Sequence, residues 1–428
     1  MSTATTHPRE STTATRSEPC GPVLYLALEL GERTWKLAVT TGFGERPRVR
    51  AIPARDLAAL DRELTRAKAR LRLPPATPVV SCYEAGRDGF WLHRALVRRG
   101  IANRVVDSAS IEVNRRARRA KADHLDAEKL VVMLVRAAQG DPRVWHEVGV
   151  PSEAAEDART LHREFAAVTA ARTAVRTRMH GLLATQGVTL ALAGDVGAAL
   201  GAVRRWDGTP LPPALLARLG REWAEVQHLT TRVLALRAAR RALLRAAPEA
   251  APNAMPDATD ATDATDATEA TEATEATEAT EATEATEATE ARARAQMRQL
   301  ARLGAVGEAI ATVLVREFFS WRTFRNGREV GALAGLVPTP YQSGTQHREQ
   351  GISKAGNRHV RHMAVELAWC WLRYQPQSAL AQWYGAHFGG GGPGRRRVGV
   401  VALARKLLIA LWRYLETGVV PDGARLKA

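Results

Sequence analysis

From Val23 onward the chain alternates short apolar runs with polar breaks. Val23–Leu30 is apolar, Gly31–Arg33 turns the chain, and Trp35–Thr41 alternates again, which predicts a β-hairpin with Arg48–Ile52 as a third strand. The period then lengthens. Asp56–Leu73 has helical spacing and stops before Pro74-Pro75. Pro78–Cys82 predicts a strand, Gly89–Arg99 a helix, Ile101–Val106 a strand and Ala122–Ala138 a helix.

Three antiparallel-type strands followed by strand–helix alternation is the order of an RNase H-like α/β domain. The middle of the chain changes character. Leu161, Phe165, Val168, Arg172, Val175, Met179 and Leu182 step by alternating fours and threes, and Val226, Leu229, Val233, Leu236, Arg240 and Leu243 do the same. Two such seams, separated by a Pro/Gly-rich stretch around Trp206–Pro213, predict an antiparallel helical hairpin or an intermolecular coiled coil. An ordinary helical core is the competing account of each seam alone.

A further unit begins near Arg292 and reads as mainly helical. Leu300–Leu314 predicts an apolar helix, a Gly-x-x-Gly turn and a second apolar helix. This resembles a helix–hairpin–helix, in which Gly304 and Gly307 would let turn amides approach a phosphate; a plain packing corner is the alternative. Trp321, Arg322, Arg325 and Arg328 give it a basic setting. The chain therefore divides into a disordered polar tail (1–21), an α/β domain (22–150) and a helical coiled-coil region (151–250). An acidic Ala-Thr repeat linker (251–291) and a mainly helical domain (292–422) follow.

Charge sharpens the picture. The 428 residues carry a net charge of +16, yet an acid stands at every third position from Asp257 to Glu290, twelve in all. Without those twelve the +16 becomes +28, a polyanion-binding footprint; an arginine-rich solubility surface is the rival account. A period of three drifts around a helix and offers no apolar seam, so the tract reads as a solvated spacer. Cys20, Cys82 and Cys370 lie too far apart for a zinc or CxxC spacing and are too few for a disulfide framework, which implies a reducing, cytoplasmic setting. No apolar run approaches the ~18 residues of a membrane span, so no membrane partner is expected.

Four acids fall where chemistry would need them. Glu29 ends the first strand, Glu84 follows the strand Pro78–Cys82, and Asp123 and Asp126 open a helix three residues apart, on one face. Such a cluster suits hard divalent cations, although first-turn acids also complement a helix dipole and Glu32 or Asp88 could compete as ligands. Arg115, Arg116, Arg118, Arg119 and Lys121 precede the Asp pair, as a solvated face or as a hold on a nucleic-acid backbone. Ser353 reads either as a helix N-cap or as a phosphate-attacking hydroxyl, ringed by Arg348, Lys354, Arg358, His359, Arg361 and His362.

Several of these motifs, in order, resemble the DEDD transposases of the insertion-sequence 110 family. They are Glu29, Tyr83-Glu84-Ala85, Lys121-Ala-Asp123-His-Leu-Asp126-Ala127, the Gly304–Gly307 hairpin, Leu333-Ala-Gly-Leu-Val-Pro338 and Gly351-Ile-Ser353-Lys-Ala-Gly356. The resemblance implies an RNase H/RuvC-like N-terminal domain, a coiled-coil middle and a serine-bearing C-terminal transposase domain. It implies Mg²⁺ held by Glu29, Glu84, Asp123 and Asp126, and Ser353 joined covalently to DNA during strand exchange. It further implies an element-encoded guide RNA pairing with target and donor DNA, and a homo-oligomer (dimer or tetramer) whose composite sites combine two protomers. The chain departs from the family pattern in carrying Glu29 where the usual first acid is Asp.

Overall fold

The computed structural model describes residues 21–44, 46–111, 123–141, 143–245, 287–343 and 346–427. Residues 1–20 of the polar tail, the basic run Arg115–Lys121 and the acidic repeat from Asp257 through Thr286 lie outside the described residues. The chain forms two compact units, one ending at Val150 and the other beginning at Pro151.

The first unit is built on a five-stranded sheet of order β3-β2-β1-β4-β5. β2 (Thr34–Thr40) pairs antiparallel with both β1 (Leu24–Leu30) and β3 (Arg48–Pro53), while β4 (Val79–Glu84) pairs parallel with β1 and β5 (Ala102–Val106) parallel with β4. Alternation along β1 explains how two layers of helix find the sheet. Leu24, Leu26 and Leu28 turn to one face and pack with Leu60 and Leu64 of α1 (Leu57–Arg70) and Leu92 and Leu96 of α2 (Trp91–Val97). Each such leucine contributes about 1.5–3 kcal/mol when fully buried. Asp56 caps α1 by accepting from the Ala59 N–H at 2.8 Å. The other face carries Ala27, Ala38 and Cys82, small enough to seat Ala127, Leu130, Val131 and Leu134 of α3 (Asp123–Ala138).

The second unit opens with α4 (Glu153–Asp157), α5 (Thr160–Ala184), α6 (Val196–Ala202) and α7 (Pro213–Arg245). α5 and α7 form an antiparallel hairpin within one chain, as the Arg178–Glu222 pair at 2.7 Å and the Arg232–Glu164 pair at 2.8 Å require. Val168, Val175 and Met179 meet Val226, Leu229 and Val233 along the seam. The intruding Arg240 is accommodated by lying 4.9 Å from the Phe165 ring centroid, a cation–π contact.

The chain continues as α8 (287–301), α9 (Glu308–Leu314), a π-helical turn Val315–Phe319, and α10 (Gly327–Leu333). An antiparallel ribbon of β6 (Pro338–Ser343) and β7 (Gln346–Ile352) comes next, then α11 (Arg358–Tyr374), α12 (Ala379–Tyr384) and α13 (Pro393–Thr417). Phe318, Trp371, Leu367, Leu403, Leu407 and Leu411 anchor a single core among these helices. The ribbon departs from the mainly helical expectation: its strands are polar, carry two prolines and show no apolar alternation, so pattern alone does not reveal them. No helix among the described residues is long and apolar enough to cross a membrane.

Candidate catalytic loop and acidic cleft

Glu29 and Glu84 come together by register. Parallel pairing of β1 with β4 aligns Leu24 with Val79 and Leu28 with Tyr83, and one more step brings Glu29 level with Glu84. Both follow the residues that face α3, Ala27 and Cys82, so both carboxylate-bearing residues stand on that face at the carboxyl ends of adjacent strands. They line one cleft of about 310 Å³ with the backbone-rich segment Ala85–Gly89. The two competing acids, Glu32 and Asp88, are engaged by arginine. Asp88 pairs with Arg55 at 2.8 Å and with Arg87 at 3.5 Å, and Arg87 also lies 3.8 Å from Glu32.

Asp126 sits one helical turn before Leu130, on the sheet-facing stripe of α3, with Lys129 at 3.6 Å. It does not line the Glu29–Glu84 cleft. Asp123 is the first residue of α3, and its side chain lies outside the described residues. Among the described residues no group of three or more His, Cys, Asp or Glu side chains forms a metal cage. Two adjacent carboxylates nonetheless fit Mg²⁺, which keeps several waters and takes one or two protein carboxylates alongside substrate phosphates. Cys82, beneath the cleft, is inert as a ligand, because burial pushes its thiol far above the ordinary range.

Ser353 follows β7 on an exposed loop that ends at α11. It does not cap that helix. Asn357 does, its side-chain oxygen accepting from the N–H groups of His359 at 2.9 Å and Val360 at 3.2 Å. The loop is laced to the turn after α10. Ser353 N–H donates to the Val337 carbonyl at 2.9 Å, Lys354 N–H to Gly335 at 3.2 Å, and Asn357 N–H to Leu333 at 3.0 Å. The segments Leu333–Pro338 and Gly351–Gly356, separate in sequence, are therefore one structure.

The cations around Ser353 divide by task. Lys354, at φ +53°, and Arg358 are exposed. Arg361 instead spends its guanidinium on the carbonyls of Ala334 at 3.2 Å and Ala355 at 3.5 Å, clamping the loop. Burial holds the half-buried His359 below its ordinary value, so it is neutral at pH 7. Arg348 lies on β7 opposite Tyr341. At the other turn, Gly304 N–H donates to Arg425 at 2.9 Å, and a Cβ there would stand 2.4 Å from the Gln375 side chain. That glycine packs the C-terminal segment, while Gly307, just before α9, has nothing among the described residues within 4 Å of its Cβ position.

Two features escaped sequence reasoning. The first is Glu317, fully buried in the π-helical turn and bonded to Asn357, His162 and Arg163. The second is a basic run. Between Glu366 and Glu416 there is no acid, yet Arg373, Arg395, Arg396, Arg397, Arg405, Lys406 and Arg413 all fall there. Arg395, Arg396 and Arg397 are exposed at the start of α13, and Lys406 lies 4.5 Å over the Trp383 ring. The absence of intervening acids was a signal available from the sequence.

Comparison with known proteins adds what geometry leaves open. Residues 297–383, which include the serine loop, match the family described as transposase IS116/IS110/IS902. The protein y4rJ of Sinorhizobium fredii (strain NBRC 101917 / NGR234), which bears a transposase name, is 38% identical over 412 residues, 94% of each chain. The chain belongs to the IS116/IS110/IS902 family of transposases. A shorter match, 31% identical over 119 residues, joins 27% of the chain to 34% of the transposase for insertion sequence element IS1328 of Yersinia enterocolitica. As a transposase of this family the chain is a DNA-recombining enzyme, and the long relative extends the likeness through both units.

Proposed function

We propose that this transposase moves its own insertion element by Mg²⁺-dependent DNA strand exchange through a covalent phosphoserine at Ser353. The observation that carries this reading is the exposed Ser353 hydroxyl-bearing residue, relieved of capping by Asn357 and held on a loop fixed at both ends. Its Oγ forms a bond to the scissile phosphorus as the P–O3′ bond breaks. The serine gives up its proton and the departing 3′-oxygen takes one, leaving a phosphoserine link and a free 3′-hydroxyl. Attack by a second 3′-hydroxyl reverses the step, so religation needs no ATP; the sequence has no GxxxxGK[ST] phosphate loop. Lys354 and Arg358 gather the phosphate and offset its developing charge.

Glu29, Glu84, Asp123 and Asp126 would hold the metal, supported by the alignment of the first two at adjacent strand ends. When bound, Mg²⁺ supplies charge neutralisation at the scissile phosphate. Three antiparallel and then two parallel strands support an RNase H/RuvC-like reading of the first unit. The heptad seams of α5 and α7 support a coiled-coil role for the hairpin. DNA at the element ends and target is the substrate. A guide RNA encoded by the element, a dimer or tetramer with composite sites, and a cytoplasmic setting complete the proposal by family resemblance.

The test incubates the protein with Mg²⁺, element-end DNA, target DNA and RNA from the element's flanks, followed by a denaturing protein gel. A DNA-linked band that requires Mg²⁺ and vanishes in Ser353→Ala is expected. Cut fragments with no linked band would replace the serine mechanism by hydrolysis.

A further inference from the structure

Glu317 is a carboxylate in the core of the second unit, and every one of its bonds leads somewhere. Oε1 accepts from His162 Nε2 and Arg163 Nε, each at 2.7 Å. Oε2 accepts from Arg163 Nη2 at 2.9 Å and Asn357 Nδ2 at 2.8 Å. A carboxylate has about four lone-pair sites, and all four are used. His162 and Arg163 belong to the first turn of the hairpin helix α5, and Asn357 closes the serine loop. The π-helical turn Val315–Phe319 brings the residue inward, and such turns recur at functional sites.

Stability alone is a poor account of this arrangement. Replacing a buried ion pair with well-packed apolar groups is often neutral or stabilising, so a retained one is better explained by the geometry it specifies. That geometry ends at the serine. Asn357 is bonded through its backbone to Leu333 and through its side chain to Glu317, only four residues after Ser353. A shift at Asn357 passes along a short loop whose backbone is hydrogen-bonded at Ser353, Lys354 and Asn357.

We propose that Glu317 is a positioning residue for Ser353, acting through Asn357 and oriented by His162 and Arg163 of α5. The claim rests on Ser353 being the nucleophile and adds the group that aims it. It also makes α5 a lever: displacement of its first turn changes where the hydroxyl stands.

The experiment uses the full chain and Asn357→Ser. Serine caps a helix about as well as asparagine, so α11 keeps its start while the link to Glu317 is lost. The adduct-forming rate is expected to fall about tenfold to a hundredfold, the scale of a displacement near 1 Å, with DNA affinity unchanged. Asn357→Asp, which sets two carboxylates face to face, should fall further. Adding Glu317→Gln to it restores a donor–acceptor pair and should recover about tenfold of the rate. Hydrogen exchange at the Ser353 and Lys354 amides should quicken in Asn357→Ser.

A wild-type adduct rate in Asn357→Ser, a parallel loss of DNA binding, or no recovery in the double variant would overturn the proposal. If the adduct survives Ser353→Ala, the nucleophile reading has failed instead. Amide exchange then still decides positioning of the loop: unchanged protection overturns it.

Discussion

Gly356 lies directly on Leu333. A Cβ at Gly356 would stand 2.0 Å from the Leu333 carbonyl oxygen, and its φ of +87° is left-handed. Gly335 returns the contact, with a Cβ position 2.0 Å from the Ala355 oxygen at φ +69°. Neither neighbour is a flexible side chain, so neither can yield cheaply.

Gly356→Ala and Gly335→Ala should therefore cost well over the about 1–2 kcal/mol of a left-handed residue and abolish the DNA-linked product. Gly351, at φ +83° and with nothing among the described residues within 4 Å, is the control. Gly351→Ala should show only the backbone penalty and keep activity. Thermal unfolding and the adduct gel check both; equal effects at all three positions would refute the interlocked loop.

The acidic cleft makes a second distinction. Glu29→Gln and Glu84→Gln should each lower Mg²⁺-dependent product by about a hundredfold or more, with DNA binding retained. Glu29→Asp keeps a carboxylate at the same strand end and should keep product. Asp88→Asn, whose acid is already paired with Arg55 and Arg87, should leave cleavage near wild type. A strand-cleavage assay across Mg²⁺ concentrations separates these; loss of cleavage in Asp88→Asn would reassign the site.

How much of this was legible beforehand depends on where the forces act. Leu24, Leu26 and Leu28 announce a strand because their partners repeat every second residue. Glu29 and Glu84 were visible as strand-end acids, while their alignment came from a register that only pairing supplies. The Ser353 loop was legible as a motif, yet its interlock with Leu333–Pro338 depends on two glycine backbones. The cap of α11 is Asn357 and not Ser353, a choice between two good capping residues that only the fold makes. Glu317 was hidden most completely. In Val-Arg-Glu-Phe-Phe it reads as one charge among apolar neighbours, and its partners His162 and Arg163 lie in the helical hairpin.

Glu317 also sets an acid limit. Burial opposes its charge, but hydrogen bonds from His162, Arg163 and Asn357 prevail and hold the carboxyl well below its ordinary value. An unfolded chain protonates the same group near pH 4.3. The contribution of Glu317 is therefore complete above that pH and is lost as pH falls from there through the depressed folded value. Denaturant unfolding of wild type and Glu317→Gln should show a gap of about 3–5 kcal/mol near neutrality that narrows below about pH 4. A gap that widens on acidification would contradict the assignment.

The acidic repeat from Asp257 to Glu290 places twelve negative charges in a chain whose other residues are strongly basic. Its last acid, Glu290, pairs with Arg294 at 3.1 Å and with the buried Arg316. Deleting 257–286 keeps those contacts and removes ten of the acids. Non-specific DNA affinity at low salt should rise and converge with wild type at high salt, where charge is screened. Unchanged affinity would reduce the repeat to a plain spacer.

The basic run of α13 bears on where DNA lies. Arg395 and Arg396 are exposed, and their side chains reach the His387 carbonyl at 3.0 Å and the Gly389 carbonyl at 3.2 Å, which fans them around a glycine-rich turn. With Arg397 they form a cationic rim from which the nearest acids in sequence are Glu366 and Glu416. Replacing all three with glutamine removes charge while keeping polarity. If each meets one phosphate, the slope of log affinity against log salt falls by about 0.9 per contact, hence by about 2–3 in total. The loss should be uniform across DNA sequences, because phosphate contacts carry no base information. Titrations of the triple variant at several salt concentrations measure this, and a slope equal to wild type would exclude the rim from the DNA path.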